Sequence, residues 1–186
     1  MISLPIRVMT EAIMHANAIY TIGHSKHEVT GFLQLLADHC LQVVVDVRSA
    51  PYSRHVRRFN KQLIQDAILA AGLRYLYLGD AIGGKPADPA FRDGDGRIVY
   101  SRVAESEKFR NGISRLRKGL ADGWRIVLMC AEEDPARCHR HLLIARELVL
   151  RHHIPVLHIR RDGSLRPAAD LLQQEYVQPR LPIFSR

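Results

Sequence analysis

Residues Arg125–Arg140, R-I-V-L-M-C-A-E-E-D-P-A-R-C-H-R, constrain the fold more than any other stretch of this chain. Four consecutive apolar residues, Ile126–Met129, run straight into Cys130. So short and bounded a run suits a strand buried on both faces of a parallel sheet better than a helix. Asp134-Pro135 then reads as a helix start, with the carboxylate as N-cap and proline at the first helical position, where its missing N–H costs nothing. Leu142, Leu143, Ala145, Leu148 and Val149 continue as an apolar stripe, so the spacing predicts a helix over 135–151. Cys130 therefore ends a strand and Cys138 sits in the first turns of the next helix. Open α/β sheets bind ligands at that end of their strands.

The same alternation recurs along the chain. Strands are expected at 18–21, 42–47, 73–78 and 154–159, the second of them the β-branched run Q-V-V-V-D-V. Helices are expected at 27–39, with Phe32, Leu33, Leu35 and Leu36 inward, at 60–71 with Gly72 ending it, and at 103–121 before Asp122-Gly123. The pattern predicts an α/β fold: a three-layer, Rossmann-like sandwich with a mainly parallel sheet of about five strands and helices on both faces. A single domain over 18–160 is expected, preceded by an extension at 1–17 in which Met9 and Met14 are alternative starts. A basic tail follows at 161–186, with a short helix near 168–176. The connection 79–100 is long, and a loop of that length in a compact domain is more often functional than idle.

Right-handed crossovers bring all strand carboxyl ends to one edge. That edge is expected to collect Gly23-His24-Ser25, Asp46 to Ser49, Gly83 to Lys85, Cys130 to Glu132, and His158 to Arg160. The net charge of +8 favours anionic partners. No apolar run approaches the ~20 residues needed to cross a bilayer, so no membrane partner is expected. Three cysteines without an export signal argue for reduced thiols in the cytoplasm.

T-I-G-H-S at 21–25, D-V-R-S-A-P-Y-S-R at 46–54, Gly83-Gly84 and C-A-E-E-D-P-A-R-C-H-R at 130–140 together resemble the family designated domain of unknown function 488. The resemblance covers residues 18–160 with the motifs in the family's order. Where the family carries Leu-Gly-Gly, this chain reads Ala81-Ile82-Gly83-Gly84 after Leu78-Gly79-Asp80, a lengthening of the loop after the third strand. Membership implies a fold and a site position, not a reaction.

Each cluster carries more than one reading. Cys130 and Arg137, spaced C-x6-R, come close to the C-x5-R loop in which backbone amides cradle an anion and a thiolate attacks. Three acids, Glu132, Glu133 and Asp134, and the lack of a loop glycine oppose that match. Metal ligation by Cys130 and Cys138 with His139 or His141 would need a further donor such as His24, since one C-x7-C-H lacks the paired short spacings of structural zinc sites. A Cys130–Cys138 disulfide and a merely packed Cys138 are the other readings. No metal is expected, and no cofactor is assigned. Glu132 with Arg137 and Arg140 forms either a local ion pair or a proton acceptor beside an anion clamp.

The loop after the second strand is the stronger anion candidate, with Arg48, Arg54, His55, Arg57 and Arg58 among the hydroxyls of Ser49, Tyr52 and Ser53. Asp46, ending an apolar strand, must find partners or protonate, and serves either to position Arg48 or as a base. His24 is an acid/base candidate or a half-buried loop histidine. Gly83-Gly84-Lys85 offers amides and a cation, or simply a turn.

The expected function is an enzyme of hydrolase or transferase type, acting on an anionic, nucleotide-like or phosphorylated substrate. His24, Asp46, Cys130 and Glu132 are its chemical candidates. Arg48, Ser49, Ser53, Arg54, Gly83 and Gly84 are expected to bind substrate, with Lys85, Arg137, Cys138, His139 and Arg140. The alternative is a non-catalytic nucleic-acid-binding module using the basic loops, with Arg110, Arg115, Arg117 and Lys118 in its footprint. Aromatics make up 6% of the chain and are not interleaved with the basic clusters, which opposes a stacking platform for single strands.

Overall fold

Apolar runs at Ile19–Gly23 (β1), Val43–Asp46 (β2), Arg74–Tyr77 (β3), Ile126–Cys130 (β4) and Val156–Ile159 (β5) form five parallel strands of one sheet in the computed structural model, which describes residues 17–177. Leu165–Pro167 (β6) adds an antiparallel edge to β5, giving the order β3-β2-β4-β1-β5-β6. The sheet is thus the mainly parallel one expected, with a sixth strand drawn from the segment read as tail. A three-residue strand containing a proline gives no run long enough to be read from sequence, and an edge position is where proline is tolerated.

Period-2 alternation divides the sheet's side chains between two cores. Ile19, Val45, Val47, Ile126, Leu128 and Cys130 face one side, while Tyr20, Ile22, Val44, Val127, Met129 and Leu157 face the other. Helices α1 (Val29–Asp38) and α2 (Lys61–Ala70) cover the second face with Phe32, Leu36, Ile64 and Ile68. Leu33 and Leu35, expected inward, are half-buried at that helix's flank. The first face is covered by α3 (Gly79–Ile82), α4 (Tyr100–Glu105), α5 (Glu107–Ala121) and α6 (Arg146–His152), with Phe109, Ile113, Leu116 and Leu148 inward. A final helix, α7 (Ala168–Val177), packs beside α6 and β5.

Two expected helices are broken. The one over 103–121 is two, because Ser106 adopts extended backbone and its hydroxyl accepts from the Phe109 amide at 3.3 Å, capping α5. The one over 135–151 begins as a 3₁₀ turn, Pro135–Arg137, capped by Asp134 as expected. It stops at Cys138, whose φ of −126° and ψ of 142° are extended, and resumes as a π-helical turn, Arg140–Ala145, before α6. Wide turns of this kind cluster at functional sites, where they re-aim side chains. The connection 79–100 is ordered by α3, by a 3₁₀ turn at Pro89–Phe91 capped by Asp88, and by a bridge between Arg92 and Ile98. Residues 1–16 and 178–186 lie outside the described residues, and with them nearly all of the expected extension. Among the described residues no helix is long and apolar enough to cross a membrane.

This topology locates a crevice. The chain leaves β1 and β2 toward α1 and α2 on one face, but leaves β4, which lies between them, toward α6 on the other. Strands whose connections diverge in this way open a cleft at their carboxyl ends.

Candidate functional site

Cys130, the last residue of β4, points to the α6 face, and the break at Cys138 returns the chain so that the two Sγ atoms stand 3.3 Å apart. His139 follows at once, its Nδ1 at 3.8 Å from each sulfur. Its Nε2 lies 2.9 Å from the Val47 carbonyl, which only accepts, so Nε2 carries the hydrogen and Nδ1 presents its lone pair to the thiols. Gly84 makes this placement feasible: a Cβ there would come within 2.5 Å of the His139 ring. Gly23 does the same for the loop, since its Cβ would lie 1.8 Å from the Glu132 carbonyl oxygen.

Around the thiols is a cavity of about 300 Å³. Lys85 and Arg137 stand on its rim, exposed, and have no carboxylate in salt-bridge range among the described residues. Glu132, Arg48, Ser49 and Tyr100 complete the polar lining. Ser49 accepts the Lys85 amide at 2.9 Å, tying the loop after β2 to the glycine loop. Hydrogen bonding from Cys138 brings the Cys130 thiol down to about 7 against the opposing effect of burial, with Arg140 and the amides of Glu132 and Ala131 assisting. As the donor, Cys138 is pushed up to about 12, with burial adding to the rise. Burial raises Tyr100 above the usual phenol range, and the neighbouring thiols add to it.

Arg140, expected to hold substrate, is wholly buried instead. Its guanidinium donates to the carbonyl oxygens of Glu132 and Glu133 and so holds the loop after β4 from beneath. Arg160 pins the outer side of that loop, donating to Glu133 at 3.0 Å.

On the opposite face of the sheet Asp46, fully buried, accepts Arg48 Nε at 2.8 Å, Arg48 Nη2 at 2.6 Å, the Arg48 amide at 3.1 Å and the Tyr75 hydroxyl at 2.8 Å. Arg48 Nη1 donates to the Phe59 carbonyl at 2.8 Å and to His24 Nε2 at 3.1 Å. His24 stacks on Phe59 with 4.3 Å between ring centres. Burial, then the Arg48 charge, lowers His24 to about 4, which keeps it the neutral acceptor this contact requires. Strand parity thus separates Asp46 from Cys130, while Arg48, held by Asp46, also lines the cavity.

Of the residues singled out from sequence, nine line the cavity: Cys130, Glu132, Cys138 and His139 with Arg48, Ser49, Gly84, Lys85 and Arg137. His24, Asp46, Gly83 and Arg140 support them from behind. Ser53 and Arg54 lie apart: the Ser53 hydroxyl accepts the His55 and Val56 amides in a turn, and Arg54 is exposed. His158, expected on the rim, is fully buried. Its Nδ1 lies 2.7 Å from the Thr21 hydroxyl and its Nε2 3.0 Å from His141 Nδ1, and His141 in turn faces Glu175. Tyr100 was not anticipated; its one sequence signal is its place at the end of the long connection.

The family model described as Domain of unknown function DUF488 matches residues 28–146, from the start of α1 through the Cys130 loop to the head of α6. No curated protein and no solved structure matches the chain.

Proposed function

As this chain belongs to the domain of unknown function 488 family, whose description states no reaction, we propose from its own geometry that the cavity is the active site of a hydrolase or transferase. The substrate is a small anionic molecule, phosphorylated or nucleotide-like. One observation carries the reading: two cations with no carboxylate partner among the described residues, Lys85 and Arg137, line one crevice with a carboxylate and a thiol pair. A guanidinium and an ammonium on the same rim hold a phosphate from two sides. Glu132, exposed at the mouth, takes or gives the proton. Asp46 and His24 act as positioning residues through Arg48. The volume, about 300 Å³, is at the lower end for ligand pockets and suits one small molecule rather than a polymer.

The test is a thermal-shift screen of the purified chain against phosphosugars, nucleotides, pyrophosphate and short nucleic acids at two salt concentrations. Stabilisation by a small anion, lost in both Lys85→Ala and Arg137→Ala, is expected. Stabilisation by polynucleotide alone, vanishing steeply with salt, would replace this reading with the nucleic-acid module, which the exposed Arg110, Arg115 and Arg117 of α5 would then serve.

A further inference from the structure

We propose that Cys130, Cys138 and His139 bind one thiophilic divalent cation, Zn²⁺ by chemical class, with a fourth coordination position open to the cavity. The three donor atoms form a nearly equilateral triangle with sides of 3.3, 3.8 and 3.8 Å. A tetrahedral zinc with Zn–S of about 2.3 Å and Zn–N of about 2.0–2.1 Å needs its donors about 3.5–3.8 Å apart. The triangle therefore accepts the ion with shifts of a few tenths of an ångström. Two soft thiolates and an imidazole favour zinc over the oxygen-seeking Mg²⁺ and Ca²⁺.

The surroundings are those a metal site needs. His139 is fixed by donating Nε2–H to the Val47 carbonyl, the outer hydrogen bond that orients a ligating imidazole. Its lone-pair nitrogen is otherwise buried against two sulfurs, with no oxygen or nitrogen donor in reach among the described residues. A packed cysteine pair would not require an imidazole fixed in this way.

The C-x7-C-H spacing is compatible with a metal because of the break at Cys138. Adjacent residues on a regular helix point about 100° apart and cannot converge on one ion. Cys138 is extended and His139 helical, so the side chains converge across the break. Nor is a fourth protein ligand required, since catalytic sites with three protein ligands leave the fourth position to water or substrate. All three donors line the cavity, so the open position faces it.

Binding is a proton exchange without electron transfer. The two S–H bonds break, two metal–sulfur bonds and one metal–nitrogen bond form, and two protons leave to solvent. The two thiolates cancel the charge of the ion.

Metal binding does not depend on the proposed reaction; only its catalytic use rests on that reading. The full chain, purified with a reductant and without a polyhistidine tag, is titrated with Co²⁺ and then challenged with Zn²⁺. One equivalent of Co²⁺ per chain is expected, with a sulfur-to-cobalt charge-transfer band that Zn²⁺ abolishes. Cys130→Ser and Cys138→Ser are expected to lose the band, and Cys40→Ser, at an exposed thiol, to keep it. His139→Gln retains both thiols and is expected to weaken binding at least tenfold, which covers the case in which a serine variant does not fold.

Absence of the band in the reduced wild-type chain overturns the proposal. So does unchanged stoichiometric uptake by a folded serine variant. The small-anion thermal shift is run in parallel on the same samples. An anion effect without metal uptake sinks the metal site alone, and metal uptake without an anion effect sinks the substrate reading alone.

Discussion

Replacing Arg48 with Met removes the charge partner of Asp46, a carboxylate with 0% exposure, and leaves it, among the described residues, only the Tyr75 hydroxyl and the backbone amide at position 48. It also strips the Phe59 carbonyl and His24 Nε2 of their donor. Breaking a buried pair from one side costs about 3–5 kcal/mol, since the survivor keeps its desolvation penalty and loses its attraction. Against a total stability of about 5–15 kcal/mol, that is a fifth or more of the fold. Asp46→Asn is expected to fall in the same range, because an amide nitrogen would then face the donors that now point at the carboxylate. The double variant Asp46→Asn/Arg48→Met, with neither charge, is expected to cost less than the sum of the singles by at least about 2 kcal/mol. Urea unfolding at pH 7 followed by circular dichroism gives all three values. A loss below about 1 kcal/mol for Arg48→Met, the value of an exposed pair, would refute the reasoning. Arg97–Asp95, at 79% and 73% exposure, is the internal reference for such a pair.

Gly84→Ala is expected to drive the His139 ring from its place, as the new Cβ falls 2.7 Å from Nδ1, and to reduce Co²⁺ affinity more than it lowers the melting temperature. Equal affinity in a folded Gly84→Ala chain would show that the ring is not held there. His158 is lowered to about 2 by burial, then by His141 and the arginines at 140, 160 and 166. A base whose folded value is depressed stabilises the fold fully above its unfolded value, about 6.5, and that stability falls with pH as the unfolded chain alone takes up the proton. The expected slope below pH 6.5 is about 1.4 kcal/mol per pH unit from this group, and it should flatten in His158→Gln in urea titrations at stepped pH. An unchanged slope would mean that His158 is solvated. Arg140→Lys, unable to reach both the Glu132 and Glu133 carbonyls as a fork does, is expected to cost about 2–3 kcal/mol and to raise hydrogen exchange in 131–134. Native-like protection there would show that the loop does not depend on Arg140.

The sheet was legible because strands buried on both faces must be continuously apolar, as Ile126–Met129 and Val43–Val45 are. Helix starts at Asp134 and Ser106 behaved as their side-chain chemistry requires, but only Asp134 was readable, because the apolar period runs on through Ser106 without a break. The carboxyl edge was legible as well, since parallel topology leaves no other place for the residues after β1, β2 and β4 to meet.

Composition and periodicity by themselves determined the α/β class, the parallel strands and the segment carrying the thiols, because these follow from local pattern and from the handedness of crossovers. Where the thiols stand and what surrounds them were decided by contacts that no local pattern encodes. Strand parity put Asp46 and Cys130 on opposite faces of the sheet. The extended Cys138 swung a second sulfur and an imidazole onto the first. Gly84, remote in sequence, made room for that ring, and Arg140 turned inward to hold backbone carbonyls rather than a ligand. Each depends on where a distant segment packs, and packing is decided by the whole core at once.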